Sequence, residues 1–173
     1  MVEVLALHGS PGSGKTTLAR ELSETMRMAD IAHGLVDLDD LSIVHPYAGP
    51  QFSRDNLRAV FPNYVAAAPG LHLIVPLVFN DEDDVDLLKA AVPGARLIVC
   101  ETTAPIDVLK KRVTAREPTE EWRRRLRDFV DLYRSRDDHV RIRDFQVSTY
   151  PATVAESAAE ILEKAGWLTP SGR

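Results

Sequence analysis

The ten residues from 8 to 17 read HGSPGSGKTT and follow directly on the apolar run VEVLAL. The spacing of Gly9, Gly14, Lys15 and Thr16 matches the P-loop pattern G-x-x-x-x-G-K-[ST]. Glycines let such a loop curl so that several backbone N–H groups point at phosphate oxygens, and the start of the next helix adds further N–H groups. An apolar run before the loop and an amphipathic pattern after it supply the required context. This stretch therefore predicts a strand–loop–helix unit that binds a nucleoside triphosphate.

The residue types of the loop predict how each would meet the triphosphate. Lys15 would place a point charge against the β- and γ-phosphates, and the hydroxyl of Thr16 would ligate the Mg²⁺ that bridges them. The residues expected to contact the nucleotide are Gly9, Ser10, Pro11, Gly12, Ser13, Gly14, Lys15, Thr16 and Thr17. The alternative is a glycine- and serine-rich turn with a chance lysine, which leaves the flanking patterns unexplained.

Apolar runs alternate with helical patterns along the rest of the chain. The predicted strands are 2–7, 32–38, 71–79, 95–100 and 145–148. The predicted helices lie near 15–28, 53–67, 82–91, 104–116, 119–136 and 154–165. Strands that are almost continuously apolar and alternate with helices predict a three-layer α/β fold, with a five-stranded parallel sheet covered on both faces. Pro62 is expected to kink or split its helix, and residues 169–173 are expected to be frayed.

The composition is typical of one globular domain over residues 1–173, with 45% hydrophobic and 27% charged residues. The net charge of −5 gives no support for a general nucleic-acid surface. The longest apolar runs are about half of the roughly 20 residues that a bilayer crossing requires. The single cysteine, Cys100, lies in a predicted buried strand and is expected to be an inert core thiol. We expect a cytoplasmic monomer or homodimer that binds neither nucleic acid nor membrane.

Acidic residues follow the second predicted strand in the segment GLVDLDDL, residues 34–41. Asp37 and Asp39 are two residues apart and would share one face of the strand. Because the carboxyl ends of parallel strands form one rim, on which the P-loop also lies, both carboxylates should face the triphosphate. Asp37 would support Mg²⁺ or act as a base, and Asp39 would orient or deprotonate the acceptor hydroxyl. The alternative is a role in the turn or as a helix cap, which is favoured for Asp40.

Two pairs of arginines are spaced four residues apart on predicted helices. Arg112 and Arg116 end the fourth helix. Arg54 and Arg58 lie between the second and third strands, in a segment (about 39–68) expected to cover the acceptor. Arginine forks match the oxygens of carboxylate, phosphate and sulfate, so this second pair could clamp an anionic acceptor. The alternative is that both are surface charges of the helix.

Other polar residues carry weaker indications. His8, directly before the loop, is expected to pack at the strand end, and His45 beside a proline is expected to be a loop histidine. The acidic run at 81–86 suits a helix N-terminus and solvent, so no chemistry is assigned to it.

The P-loop, the D-x-D sequence, the R-x-x-x-R pair and the C-terminal VSTYPATVAESAAEIL (147–162) together resemble one family. The chain is similar to the small P-loop kinases of the nucleoside-monophosphate-kinase-like group. Its members include adenylate, shikimate, gluconate and adenylylsulfate kinases and the antibiotic phosphotransferases. The resemblance covers nearly the whole chain, although only the P-loop is sharply diagnostic. It implies transfer of the γ-phosphoryl group of ATP, with Mg²⁺, to a small molecule.

The resemblance also implies roles for residues that spacing alone does not assign. Arg112 would stack on adenine and Arg116 would touch the phosphates, so that Arg116 joins Lys15, Asp37 and Asp39 in the catalytic set. A mobile lid would span about 116–126. The backbone that wraps the adenine would be that of Val147, Ser148 and Thr149.

The chain also departs from parts of this group. The third predicted strand has no acid before Asp81, whereas nucleoside-monophosphate kinases commonly end that strand with an aspartate. In this respect the chain looks more like the gluconate and adenylylsulfate kinases. The lid has no cysteine quartet, so a zinc-bound lid is excluded. Two alternatives stay open: a nucleoside-monophosphate kinase, whose acceptor is itself a phosphate, and a nucleotide-dependent switch or assembly factor.

Overall fold

The protein folds around a five-stranded parallel sheet, in which the strands lie side by side in the order second, third, first, fourth and fifth along the chain. A computed structural model describes residues 1–168, so the fraying predicted for 169–173 lies outside the described residues. The strands are β1 Glu3–His8, β2 His33–Leu35, β3 His72–Pro76, β4 Arg96–Thr103 and β5 Phe145–Ser148. The helices are α1 Lys15–Met28, α2 Gln51–Ala67, α3 Asp83–Ala91, α4 Ile106–Arg116, α5 Glu120–Ser135, α6 His139–Ile142 and α7 Val154–Ala165. The predicted three-layer α/β class is confirmed.

The central strand β1 places the P-loop in the middle of one sheet edge. It pairs in parallel with β3 on one side and β4 on the other. Its side chains alternate between the two faces: Val4 and Ala6 join one buried cluster, while Leu5 and Leu7 join the other. Both faces are therefore covered, and the functional loop is anchored to the most buried strand.

The second strand is shorter than predicted, but its path continues beside β3. The N–H of Val36 donates to the carbonyl of Ile74 at 3.0 Å, and the N–H of Leu38 donates to the carbonyl of Pro76 at 3.3 Å. Both Val36 and Leu38 are buried, so the intervening Asp37 faces the opposite way. The side chains therefore still alternate between the two faces as far as Leu38, as the predicted strand 32–38 requires, although β2 itself ends at Leu35.

Pro62 does not split α2, which runs without interruption from Gln51 to Ala67. Proline removes one helical N–H and leaves the carbonyl four residues earlier without its partner. Pro62 and Arg58 are both exposed, so water can hydrate that carbonyl. Among residues 1–168, no helix is long and apolar enough to cross a membrane.

Candidate active site

The P-loop is held in its curled form by contacts from its own lysine and from β4. Lys15 Nζ donates to the carbonyl oxygens of Gly9 at 2.8 Å and Ser10 at 3.1 Å. The buried hydroxyls of Ser13 and Thr102 lie 2.8 Å apart, and Thr102 Oγ1 donates to the carbonyl of His8 at 3.2 Å. Contacts within the protein thus fix the loop at both of its ends.

Glycine is required at position 12 for two reasons. Its φ of 80° lies in the left-handed region, and a Cβ there would approach the carbonyl oxygen of Leu109 in α4 to 2.8 Å. The loop and α4 therefore approach each other more closely than a side chain permits.

Gly12→Ala is expected to weaken binding of Mg·ATP by about 5- to 150-fold, because about 1–3 kcal/mol of strain falls on the loop. Gly94→Ala is a matched control, since Gly94 has a φ of 77° but nothing within 4 Å of its would-be Cβ. It should lower the free energy of unfolding without changing nucleotide affinity. Calorimetric titration of both variants checks this, and equal affinities would contradict it.

The ammonium of Lys15 has an unusual electrostatic environment. Burial is the main reason that the pKa of Lys15 is lowered to about 8; the carboxylates of Asp39 and Asp37 oppose this shift, and the nearby charge of Arg116 adds to it. Lys15 is therefore mostly charged at neutral pH and loses its charge under mildly alkaline conditions.

Binding of Mg·ATP should be coupled to proton uptake near pH 8. The free protein is then about half deprotonated at Lys15, and the phosphates restore the charged form, so uptake should be about half a proton at pH 8 and about a tenth at pH 7. Calorimetry in two buffers with different enthalpies of ionisation measures this number. A value near zero at both pH values would show that Lys15 does not meet the phosphates.

Asp37 faces the threonine of the P-loop. Its Oδ2 accepts from Thr16 Oγ1 at 3.0 Å, and its Oδ1 accepts from the N–H of Asp39 at 3.0 Å. Burial raises the pKa of Asp37, opposed by these two hydrogen bonds. A hydroxyl and a carboxylate side by side fit a Mg²⁺ ion that also takes phosphate and water oxygens. Residues 1–168 contain no group of three or more His, Cys, Asp or Glu side chains able to hold a metal by themselves.

One cleft of about 520 Å³ brings the P-loop together with most of the predicted partners. We call it the nucleotide cleft. Asp39 and Val78 line it on one side and Arg116 on the other, where the Nε of Arg116 donates to Glu117 Oε1 at 2.8 Å. Leu126 of α5 also lines the cleft. Lys15, Asp39 and Arg116 therefore surround one space, as expected from the sequence.

Arg112 connects two walls of the nucleotide cleft. One guanidinium nitrogen donates to the carbonyl of Gly12 at 3.2 Å and to Thr149 Oγ1 at 2.9 Å, and the other donates to the carbonyl of Thr149 at 2.9 Å. Of the segment expected to wrap the adenine, only Thr149 lines the cleft. Val147 is buried in the core, because β5 still runs there, and the exposed Ser148 lies outside the lining. The wall is instead formed by Ala152, Thr153, Val154 and Ser157.

No known family model matches this chain, and no curated protein does. Solved structures are similar over nearly the full length. The adenylylsulfate (APS) kinase CysC of Mycobacterium tuberculosis, solved with AMPPNP and APS, has a TM-score of 0.66 at 17% identity, covering 95% of this chain and 97% of its own. The tunicamycin resistance protein of Deinococcus radiodurans has a TM-score of 0.65 at 18% identity, covering 100% of both chains.

A shikimate kinase from Acinetobacter baumannii, solved with shikimate, has a TM-score of 0.57 at 20% identity, covering 96% of this chain and 94% of its own. The chain has the fold of the small P-loop kinases. The predicted resemblance is confirmed at the level of the fold. The third strand ends at Pro76 and is followed by the apolar residues Leu77 and Val78, of which Val78 lines the nucleotide cleft.

The predicted lid region lies at the start of α5. Residues 117–119 connect α4 to α5, and Thr119 caps α5 by accepting from the N–H of Trp122 at 3.3 Å. Residues 120–126 form the first turns of that helix, and Trp122 is 52% exposed. The mobility of this segment stays a prediction.

The anion clamp expected from Arg54 and Arg58 is not supported. Arg54 is buried, donates to Asp84 Oδ1 at 2.7 Å and to the carbonyl of Pro50 at 2.9 Å, and so joins α2 to α3. Asp84, expected to face solvent, is itself buried. Breaking this pair would leave an uncompensated buried charge, so Arg54 cannot readily turn to a ligand. Arg58 is exposed and does not line the nucleotide cleft.

A buried polar network beneath the P-loop was only partly foreseen. His8 is fully buried; its Nδ1 accepts from the N–H of Phe79 at 3.0 Å, and its Nε2 lies 2.8 Å from the hydroxyl of Tyr133. That hydroxyl donates to Glu101 Oε1 at 3.2 Å, and Arg143 pairs with the same carboxylate. The sequence shows a histidine at a strand end but not its partners, which are far apart along the chain.

The network makes stability depend on pH. Burial, and then the nearby charge of Lys15, lower the pKa of His8 to about 3 from 6.5. The unfolded chain therefore binds one more proton between these values, and the free energy of unfolding should fall by about 1.4 kcal/mol per pH unit as pH drops from about 6.5. Urea denaturation of wild type and His8→Asn at pH 7, 6 and 5 isolates this slope. Equal slopes, or an imidazole NMR titration midpoint near 6.5, would contradict it.

Proposed function

We propose that the protein is an ATP-dependent kinase that transfers the γ-phosphoryl group of ATP to a hydroxyl group of a small molecule. One observation carries the proposal: the nucleotide cleft is lined by a P-loop lysine, a carboxylate and an arginine, namely Lys15, Asp39 and Arg116. Phosphoryl transfer needs chiefly placement and charge compensation, and these groups can provide both. The kinase fold supports the proposal but does not identify the acceptor.

The two aspartates have different surroundings, which separates their proposed roles. Asp37 is half-buried and already accepts from Thr16 and from the N–H of Asp39. The carboxylate of Asp39 is exposed and accepts no hydrogen bond from residues 1–168. We therefore assign proton acceptance to Asp39, and Mg²⁺ support to Thr16 and Asp37. The Mg²⁺ ion, when bound, would neutralise phosphate charge.

In the proposed step, the acceptor oxygen forms a bond to the γ-phosphorus while the bond from that phosphorus to the β,γ-bridging oxygen breaks. ADP leaves, and the hydroxyl proton passes to Asp39. Lys15 and the loop N–H groups hold the β- and γ-phosphates, and Arg116 compensates charge from the opposite wall. Arg112, tied to Gly12 and Thr149, positions the side of the cleft that would receive the adenine.

A hydroxyl acceptor is favoured over a phosphate acceptor. A phosphate needs no base, yet the cleft offers the exposed carboxylate of Asp39. A phosphate would also need cations, and Arg54, the expected clamp, is buried against Asp84. ATP rather than GTP is inferred from the kinase resemblance.

A coupled ADP-release assay tests the proposal. Mg·ATP is supplied with hydroxyl-bearing metabolites, nucleosides or nucleoside monophosphates, and products are identified by mass spectrometry. We expect acceleration by hydroxyl compounds and a phosphate ester as product. Acceleration by monophosphates alone would favour the monophosphate kinase, and a basal rate that no acceptor changes would favour a nucleotide-dependent switch.

A further inference from the structure

A second cleft of about 700 Å³, which we call the side cleft, is lined by residues close in the chain to those of the nucleotide cleft. The two clefts are lined by neighbouring residues of the same two segments, the chain after β3 and the helix α5. Val78 lines the nucleotide cleft and Asn80 lines the side cleft, while on α5 Leu126 lines the first and Phe129 the second. Two residues of extended chain span about 7 Å and three residues of helix about 5 Å. A molecule of modest size in the side cleft can therefore reach the phosphate end of the nucleotide cleft.

The arginines of the side cleft are already paired. Arg136 binds Asp138 Oδ2 at 2.8 Å and donates to the carbonyl of Phe79 at 2.6 Å. Arg141 pairs with Glu82. Both arginines line the side cleft, and each has a carboxylate beside it that offsets its charge, so the attraction of the side cleft for an anion is reduced.

The groups that the side cleft does offer are apolar or acidic. Phe129 and Leu132 present apolar surface, and Leu132 is 61% exposed. Asp83 and Asp137 are exposed and form no ion pair with residues 1–168. An apolar group that covers Phe129 and Leu132 would remove apolar surface from water, which favours binding. An anion would instead be repelled by the carboxylates of Asp83 and Asp137.

We propose, building on the kinase function above, that the side cleft receives the acceptor, a hydroxyl compound with an apolar portion and no carboxylate, sulfate or phosphate group. The charge state of the cleft selects against anions, and its apolar wall selects for a hydrocarbon or aromatic part. The hydroxyl of the acceptor points toward Asp39.

Three probes with one skeleton test this selection: phenylalaninol, 3-phenyl-1,2-propanediol and 3-phenyllactate. They carry an ammonium, no charge and a carboxylate, respectively, beside a hydroxyl. Ligand-observed NMR titration of the wild-type protein saturated with Mg·AMPPNP ranks their affinities even in the millimolar range. We expect phenyllactate to bind at least tenfold more weakly than the other two, with a smaller difference at high salt. Three similar affinities, or phenyllactate at the top, would overturn the proposal.

A gain-of-function variant tests the same point from the protein side. Glu82→Gln releases the exposed Arg141, so it should strengthen phenyllactate binding and weaken phenylalaninol binding, each by about two- to fivefold. Glu160→Gln is the matched control, since it breaks a comparably exposed pair with Lys164 on α7, outside both clefts. Identical behaviour of the two variants would place the acceptor elsewhere.

Failure of this inference is distinguishable from failure of the kinase proposal. If Mg·AMPPNP binds and a carboxylate-bearing acceptor proves to be phosphorylated, the kinase stands and the selection against anions falls. If calorimetry shows no binding of Mg·AMPPNP, the kinase proposal falls first.

Discussion

Replacing Lys15 by methionine is expected to lower kcat about 10³-fold. Lys15 Nζ lies 2.8 Å from the carbonyl of Gly9 and 3.1 Å from that of Ser10, so the cation is already fixed inside the loop. Removing one fixed donor from a site that stabilises developing charge typically costs 10²–10³ in rate, and here a full charge is removed as well. Methionine keeps the length and apolar surface of the side chain but supplies neither charge nor donor.

The fold should survive this change. Burial lowers the pKa of Lys15 to about 8, which means that the folded protein disfavours the charged ammonium. Removing this buried charge therefore stabilises the fold by an amount that offsets the loss of the two hydrogen bonds of Lys15. The free energy of unfolding should stay within about 1 kcal/mol of wild type. The matched control is Lys111→Met, an exposed lysine of α4 outside the nucleotide cleft, which should keep wild-type activity. ADP-release kinetics and urea denaturation measure both; a Lys15→Met protein within threefold of wild type would refute the role given to Lys15.

The fold was largely predictable because its signals are local. Apolar runs locate the five strands, and capping residues mark helix ends: Thr153 and Glu156 form a capping box, and Gly166 ends α7 with a φ of 74°. The predicted strand ends were less accurate, because an apolar run indicates that residues are buried and does not show whether their backbone is hydrogen-bonded to a neighbouring strand. Leu77 and Phe79 are buried although β3 ends at Pro76. The single-turn helix His139–Ile142 was missed, because four residues are too few to show a helical period.

The candidate site was predictable only where spacing fixes the neighbours. The P-loop and the aspartates after β2 meet at the rim because parallel strands end there, and the hydrogen bond between Thr16 and Asp37 reflects this. Pairings between distant elements carry no such signal. Arg54 and Asp84 lie thirty residues apart in the chain, and a free arginine and a paired one look identical in a sequence. Of the segment predicted to wrap the adenine, Thr149 lines the nucleotide cleft but Val147 does not, since β5 continues through Val147.

Asp39→Asn is expected to lower kcat for a hydroxyl acceptor by about 10²- to 10⁴-fold, the usual contribution of a general base. The amide keeps the shape of the carboxylate but cannot take the proton. Asp39 also favours the charged form of Lys15, so its removal would lower the pKa of Lys15 further. Rates should therefore be compared below pH 7, where Lys15 stays protonated in both proteins and only the missing base is measured.

The same variant decides between acceptor classes. A hydroxyl must lose its proton during transfer, whereas a phosphate acceptor is already ionised, so only the former depends strongly on the carboxylate of Asp39. Asp40→Asn changes the next residue, which is also exposed, and should have almost no effect on kcat because Asp40 does not line the nucleotide cleft. Asp37→Asn should instead raise the Mg²⁺ concentration needed for half-maximal rate, since Asp37 is the carboxylate that contacts Thr16. If Asp39→Asn retains more than a tenth of wild-type kcat while Asp40→Asn does not, the base has been assigned to the wrong aspartate; if all three variants stay active, the chemistry needs no base and a phosphate acceptor gains support.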